Sequence, residues 1–226
     1  MGSIAITFAL PTESSDFARW LSSAEDHKVT ILHTGVGPKV AANKIGGFLD
    51  TTRPSFVISS GFAGALHDGF AVGDLILGCN FSDEGLLTRA VELLSNRSAR
   101  SARLLSTSRI ADSATERNRL RQEHGADAVD METEAIAAAC AERRIGMLSL
   151  RIITDTPRKP LPAPPAVLFD LERQRTSLIR LMGYALSHPR TIPQLMRFAQ
   201  TVNAARAELT SALVALLREQ HLLFGK

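Results

Sequence analysis

The sequence has few of the residues that mark secreted, membrane-spanning or metal-binding proteins. Only two of its 226 residues are cysteines, Cys79 and Cys140, and their spacing fits neither a disulfide framework nor a zinc site. No run of about 18 apolar residues is present. The first ten residues lack the basic start of a signal peptide. We therefore expect a cytoplasmic protein without a membrane-spanning helix and without a bound metal.

The usual phosphate loops of nucleotide-binding proteins are missing as well. The pair Gly35-x-Gly37 lacks the third glycine of a dinucleotide fingerprint, and no Lys-Ser/Thr pair completes a Walker motif. The sequence therefore disfavours a kinase or a dehydrogenase, and it implies no organic cofactor.

The apolar content of the sequence is high enough for one packed domain. Apolar residues make up 45% of the chain and charged residues 22%. Short apolar runs alternate with helical patterns, which favours an α/β architecture with largely parallel strands. The predicted strands are residues 3–10, 28–33, 55–60, 74–79, 102–106, 126–129 and 147–153. The predicted helices of this part are residues 13–24, 39–49, 114–124 and 133–143.

The last third of the chain differs from the rest in charge and composition. Residues 1–156 hold 16 basic and 19 acidic residues, whereas residues 157–226 hold 10 basic and 4 acidic. Five of the ten prolines lie in residues 156–165, which predicts a loop before two further helices. We predict a catalytic core at 1–156 and an appendage at 157–226 that packs on or extends the same domain.

The second of these helices carries an apolar stripe, and its role has two interpretations. It either packs in the core or a dimer interface, or presents a basic amphipathic face to an anionic partner such as a membrane. The stripe consists of Ile192, Leu195, Met196, Ala199, Val202, Leu209, Leu213 and Leu216.

Three carboxylates follow predicted strands. Glu13 follows the first strand, Glu132 follows the short strand before an alanine-rich helix, and Asp155 follows the last strand. Ligands of α/β sheets bind at the carboxyl ends of the strands, so we expect these groups to meet there with the glycine turns at 35–37 and 61–64. The alternative is structural, because such glycines are often only turns and Asp130 suits a helix cap.

Taken together and in order, these motifs resemble the family of nucleoside phosphorylases and nucleosidases, which includes methylthioadenosine/S-adenosylhomocysteine nucleosidases. The resemblance implies a three-layer α/β/α sandwich around a mixed, largely parallel sheet, with extra C-terminal helices. It also implies cleavage of the N-glycosidic bond of a purine nucleoside. The matching segments are ALPTE (9–13), TGVGPKVAA (34–42), SSGFAGAL (59–66), VGDLIL (72–77), AVDMETEAIA (128–137) and LRIITD (150–155).

The resemblance further implies a role for each matching residue. Asp155 matches the base-side acid that protonates purine N7, and burial after a strand would favour its protonated form. Glu132 matches the anchor of the ribose hydroxyls, Met131 the methionine that packs on the sugar, and Thr154 the neighbour of the acid. Glu13 matches the glutamate that activates water in hydrolytic members. The substrate-binding set is completed by Phe62, Ala63 and Gly64.

Hydrolysis and phosphorolysis both stay open at this stage. Ser59 and Phe62 stand where some phosphorylases carry phosphate ligands, which weakens one phosphate site. The backbone amides of Gly35 and Gly37 would still suit an anion, so phosphate is a candidate co-substrate.

The remaining expectations concern substrate and partners. The tail is similar to that of hopanoid-associated phosphorylases, which release adenine from a lipid-linked adenosine, and this implies peripheral contact with the inner membrane. Residues 107–111 align with a purine-stacking loop but contain no aromatic residue. The stretch between VGDLIL (72–77) and the predicted strand at 102–106 is also shorter than in small nucleosidases. This shortened base-side region motivates a third interpretation, a nucleoside-binding protein without catalysis. We expect a homo-oligomer, with a dimer favoured, and no nucleic-acid partner.

Overall fold

The chain forms one eight-stranded sheet, a small two-stranded sheet and eight α-helices within the part that the structure describes. That part of the computed structural model comprises residues 3–24, 28–170, 175, 176, 178–219 and 221. The strands are β1 (Ile4–Phe8), β2 (Val29–His33), β3 (Phe56–Ala65), β4 (Leu75–Gly78), β5 (Arg100–Ala102), β6 (Leu104–Ser106), β7 (Ala128–Asp130), β8 (Gly146–Asp155), β9 (Phe169–Asp170) and β10 (Arg175–Thr176). The helices are α1 (Pro11–Ser23), α2 (Pro38–Thr52), α3 (Glu84–Leu93), α4 (Ala114–His124), α5 (Thr133–Glu142), α6 (Pro165–Leu168), α7 (Leu178–Ser187) and α8 (Ile192–Arg218).

The large sheet is mixed and mostly parallel. Its strand order is β2-β1-β3-β8-β4-β5, with β7 pairing the end of β3 and β6 pairing β7. The pairs β4–β8 and β3–β7 are antiparallel, and the other pairs of this sheet are parallel. The predicted sheet type is therefore confirmed.

Helices cover both faces of the sheet. Neighbouring strand residues point to opposite faces, so Val57 and Ile58 on β3 belong to different halves of the core. Ile58 packs in a cluster with residues of α1, α3 and α8, among them Phe17 and Leu213. Val57 packs with residues of α2 and α5, such as Ile45. This arrangement confirms the predicted three-layer sandwich with extra C-terminal helices.

Only the second half of α8 is a core helix. Its buried side chains begin at Ala205 and continue to Leu217 on the face that meets the sheet and α1. In its first half, by contrast, Ile192 and Met196 are 41% and 61% exposed. The predicted apolar stripe is thus buried in the core only from Ala205 onward. No helix among the described residues has the length and apolarity to span a bilayer.

Several predicted element boundaries needed correction. The single strand predicted at 102–106 is two strands: β5 pairs β4, and β6 pairs β7. Helix α3 was not predicted, although Asp83 caps it by accepting the amides of Gly85 and Leu86. The glycines predicted as a turn at 61–64 lie inside β3, because β8 pairs with β3 along this whole stretch. The β3–β8 register shifts between Ala63 and Gly64 at the end nearest Asp155.

Candidate active site

A cavity of about 350 Å³ opens at the carboxyl edge of the sheet, and Glu13, Glu132 and Asp155 all line it. Glu13 stands in the first turn of α1, which begins at Pro11, and Glu132 directly precedes α5. Asp155 is the last residue of β8. Three distant parts of the sequence thus supply carboxylates to one chamber.

Glu13 is held close to the backbone that follows β1 and to the backbone of β3. Its Oε2 accepts a hydrogen bond from the amide of Ala9 at 3.1 Å. A Cβ at position 61 would lie 3.1 Å from the same oxygen, so Gly61 makes room for the carboxylate. Burial raises the pKa of Glu13 to about 7, although the nearby charge of Arg151 acts in the opposite direction. Glu13 is therefore suited to take up a proton near neutral pH.

Glu132 is bonded to the loop before α2. Its Oε1 accepts the amide hydrogen of Gly37 at 2.7 Å, and Gly37 has a φ of 97° that suits glycine. Burial, followed by the charge of Asp130, raises the pKa of Glu132 to about 8. The amide of Gly35 donates to the carbonyl of Ala9 at 3.0 Å. Both amides that the predicted phosphate site would use thus have acceptors within the protein.

A buried ion pair supports the floor of the cavity. Arg151 Nε donates to Asp130 Oδ2 at 3.0 Å, and its Nη2 donates to the hydroxyls of Ser59 at 2.8 Å and Thr133 at 2.7 Å. Asp130 Oδ2 also accepts the Thr133 amide at 3.2 Å, as in the helix-cap interpretation. Ser59 is therefore engaged by Arg151, and this network fixes the strand end that precedes Glu132.

Asp155 has a cationic partner. Arg117 Nη2 donates to Asp155 Oδ2, and Thr154 Oγ1 donates to Oδ1 at 3.0 Å. Arg117 is 1% exposed, and its Nη1 also donates to the carbonyl of Ala65 at 2.8 Å. These two donors hold both carboxylate oxygens of Asp155 in place at the edge of the cavity. A Cβ at Gly64 would lie 2.9 Å from Asp155 Oδ2, which explains glycine there.

Arg117 is the main site residue that the sequence analysis missed. It lies on α4, whose other buried residue is Leu120, three positions along the helix. That spacing was the only available signal, because nearly every other position of α4 is polar or charged. An arginine on a charged helix is normally exposed, so the burial of Arg117 became apparent only from the tertiary structure.

The other predicted substrate-binding residues also line the cavity: Phe62, Ala63, Gly64, Met131 and Thr154. The segment predicted to face the base contributes Thr107, Arg109, Ile110 and Ala111. A further wall comes from the C-terminal region, which the sequence analysis did not place at the site. It is mainly apolar and consists of Leu161, Leu168, Leu181, Leu195, Phe198, Ala199, Val202, Asn203 and Arg206.

A second chamber of about 10 Å³ adjoins Glu13 and Glu132 on the sheet side. Its walls include Thr7 and Ser60, whose hydroxyls are buried and lack a hydrogen-bond partner among the described residues. A space of this size holds about one water molecule, and unpartnered buried hydroxyls bind such waters. The described residues bring together no group of three or more His, Cys, Asp or Glu side chains arranged for a metal ion.

Comparison with known proteins agrees with the family resemblance that the motifs indicated. A family model described as the phosphorylase superfamily matches residues 79–186. A 5'-methylthioadenosine/S-adenosylhomocysteine nucleosidase of Thermotoga maritima is 26% identical over 145 residues, which are 57% of this chain and 66% of that protein.

Solved structures share the fold over nearly the whole chain. A futalosine hydrolase mutant of Helicobacter pylori has a TM-score of 0.74 at 14% identity and covers 97% of this chain and 100% of its own. The 5'-methylthioadenosine/S-adenosyl homocysteine nucleosidase of Campylobacter jejuni has a TM-score of 0.69 at 15% identity, with 96% and 100% covered. The fold is that of these solved structures, and the motifs are similar to those of the phosphorylase superfamily, whose model matches just under half of the chain. These matches confirm the predicted resemblance to the nucleoside phosphorylases and nucleosidases.

Proposed function

We propose that this protein hydrolyses the N-glycosidic bond of a purine nucleoside. The observation that carries hydrolysis is the small chamber beside Glu13, which has room for a water and is too small for a phosphate. The hydroxyls of Thr7 and Ser60 would hold that water against the carboxylate. The engaged amides of Gly35 and Gly37 argue in the same direction, because neither of these two donors is free to bind phosphate.

In the proposed reaction Glu13 acts as general base and Asp155 as general acid. Water oxygen attacks C1′ of the ribose while Glu13 accepts the water proton. The C1′–N9 bond breaks, its electron pair passes to the purine, and a protonated Asp155 donates its proton to N7. Glu132 accepts hydrogen bonds from the ribose hydroxyls, and Met131 packs on the sugar. The products are a free base and a free sugar.

Arg117 enters this scheme as a positioning residue. It holds the Asp155 carboxylate at the base side and adds a positive charge close to the departing purine.

The apolar wall supports a substrate with an apolar 5′ substituent. Leu195, Phe198 and Val202 from α8 and Leu181 from α7 add hydrocarbon surface that a bare ribose would not need. Methylthioadenosine fits this description. The same wall favours a second candidate, a lipid-linked adenosine of the hopanoid kind, whose chain would bury more of that surface.

A chromatographic assay tests the proposal. Adenosine, methylthioadenosine, S-adenosylhomocysteine and inosine are each incubated with the protein, with and without phosphate. We expect free base at the same rate in both conditions. Base release only with phosphate, together with ribose 1-phosphate, would contradict hydrolysis. Tight nucleoside binding with no product in either condition would favour the binding-protein alternative.

Substitutions then assign the roles. Glu13→Gln should abolish phosphate-independent cleavage while nucleoside binding persists, and Asp155→Asn and Glu132→Ala should each lower turnover by at least ~10²-fold. Glu134→Gln is the matched control, because Glu134 is exposed and does not line the cavity. Unchanged cleavage by folded Glu13→Gln would remove Glu13 from the base role.

A further inference from the structure

The exposed large hydrophobic side chains of the described residues are concentrated in one short segment. They are Met182, Leu186, Ile192 and Met196, with exposed fractions of 65%, 81%, 41% and 61%. Met182 and Leu186 are four residues apart on α7, and Ile192 and Met196 are four apart on α8, so each pair shares a helix face. Single exposed hydrophobics are ordinary, whereas a concentration of this kind indicates an interaction surface.

Basic residues accompany these side chains. Residues 173–207 contain six arginines and no aspartate or glutamate, whereas residues 1–156 carry an excess of acidic residues. Arg190 and Arg197 are exposed beside the apolar pairs and form no ion pair with another described side chain. We call the set of Met182, Leu186, Arg190, Ile192, Met196 and Arg197 the tail surface.

The tail surface lies on the same helices that close the active-site cavity. Leu181 lines the cavity, whereas its neighbour Met182 is exposed, and Leu195 and Met196 differ in the same way. Since α8 enters the core only from Ala205, its first half separates the cavity from the exterior. An apolar partner on the tail surface would therefore lie one helix away from the apolar wall of the cavity.

We propose that the tail surface docks on an anionic lipid bilayer, and that a nucleoside with an apolar chain enters the cavity from this bilayer. The second part rests on the proposed function. Interfacial helices bind membranes by inserting apolar side chains while arginines contact anionic headgroups. A second copy of the chain fits this surface less well. In a two-fold contact the same patch meets its copy, which would bring the arginines of both copies into one interface without an acidic residue of the tail surface to pair with.

Vesicle co-sedimentation of the full chain tests the docking. One set of vesicles contains phosphatidylcholine with phosphatidylglycerol, and the other contains phosphatidylcholine alone. We expect binding to the anionic vesicles at low salt and at least tenfold weaker binding both to neutral vesicles and at 1 M salt. Equal binding to both compositions, or none to either, would overturn the proposal.

Two double variants identify the surface. Met182→Glu with Met196→Glu, and Arg190→Gln with Arg197→Gln, should each weaken binding to anionic vesicles at least tenfold. The matched control is Lys44→Gln with Arg53→Gln, which removes two exposed cations at α2 on the opposite face of the sheet and should bind like the unmodified protein. Circular dichroism verifies that each variant is folded. Unchanged binding by both tail variants would overturn the assignment.

Two further readouts separate this proposal from its alternatives. Sedimentation velocity detects a self-associating patch: a tail variant that converts a dimer to a monomer would overturn docking on lipid in favour of a second copy. Cleavage of methylthioadenosine in solution should be the same in the tail variants and the unmodified protein, because these residues do not line the cavity. Vesicle binding without cleavage of any nucleoside would contradict the proposed function and not the docking.

Discussion

At the residue scale, Glu13 and Glu132 show how burial prepares ordinary glutamates for chemistry. Both carboxylates accept backbone amides, Glu13 that of Ala9 and Glu132 that of Gly37, and each has a pKa raised mainly by burial. The two glutamates also share charged neighbours. The charge of Arg151 lowers both pKa values, and the charge of Asp130 raises both. Carboxylates with raised pKa values in a cavity are typical of functional sites.

The first prediction concerns the pH dependence of cleavage. Glu13 must be ionised to accept a proton from water, and its pKa of about 7 means that it is mostly protonated at lower pH. We therefore expect kcat/KM to fall on the acid side of about pH 7, approaching tenfold per pH unit. Because Glu132 interacts with Glu13, the midpoint belongs to the pair.

Steady-state rates between pH 5 and 9 measure this acid limb. The control Glu134→Gln should reproduce it, since that carboxylate is exposed outside the cavity. A profile that is flat between pH 5.5 and 8 would contradict a general base at Glu13.

At the element scale, the pair of Arg117 and Asp155 ties α4 to the end of β8. The two residues are 38 positions apart in sequence, and both are buried. Removing one partner of such a pair leaves an uncompensated charge in the interior, which is more destabilising than losing both.

A double-mutant cycle measures this connection. We expect Arg117→Met to lower the free energy of unfolding by about 3–5 kcal/mol, the usual range for a broken buried pair. In the Asp155→Asn background the same change should cost less, because no buried carboxylate is left unpaired. Urea denaturation provides the measurement, with the exposed Arg119→Met on α4 as a near-neutral control. Additive losses in the cycle would show that the pair does not join the two elements energetically.

The boundaries of strands and helices show where prediction from sequence was limited. Apolar runs and helical spacing identified most strands and helices of the core, because local periodicity reflects which face is buried. They did not divide residues 102–106 into β5 and β6, since the choice of pairing partner is a tertiary property. The composition of residues 61–64 predicted a turn, whereas pairing with β8 makes this segment part of strand β3.

At the scale of the whole molecule, the cavity exists because the C-terminal helices return to the core. The second half of α8 packs on the sheet, and this holds its first half over the carboxyl edge. The two glutamates of that cavity, whose pKa values are raised by burial, should lower the stability of the fold when they are charged.

The third prediction is therefore a gain of stability on neutralising Glu132. Its pKa is about 8 in the folded protein and near 4.5 when unfolded, so the folded state binds more protons between these values. Stability consequently falls as pH rises through that range. We expect Glu132→Gln to raise Tm at pH 8.5 and to have little effect at pH 4, because the amide oxygen can still accept the Gly37 amide. A variant with lower Tm at both pH values would contradict the cost of this buried charge.

The sequence by itself determined the class of fold, the family that the chain resembles and the three candidate carboxylates. Strand and helix periodicity are local, and a motif such as VDMETE needs no knowledge of distant contacts. The tertiary structure alone decided that Arg117 pairs with Asp155, that the amides of Gly35 and Gly37 are engaged, and that α8 is half core and half cavity wall. The physical reason is that burial and ion pairing depend on which residues meet across the fold, and sequence spacing carries little of that information.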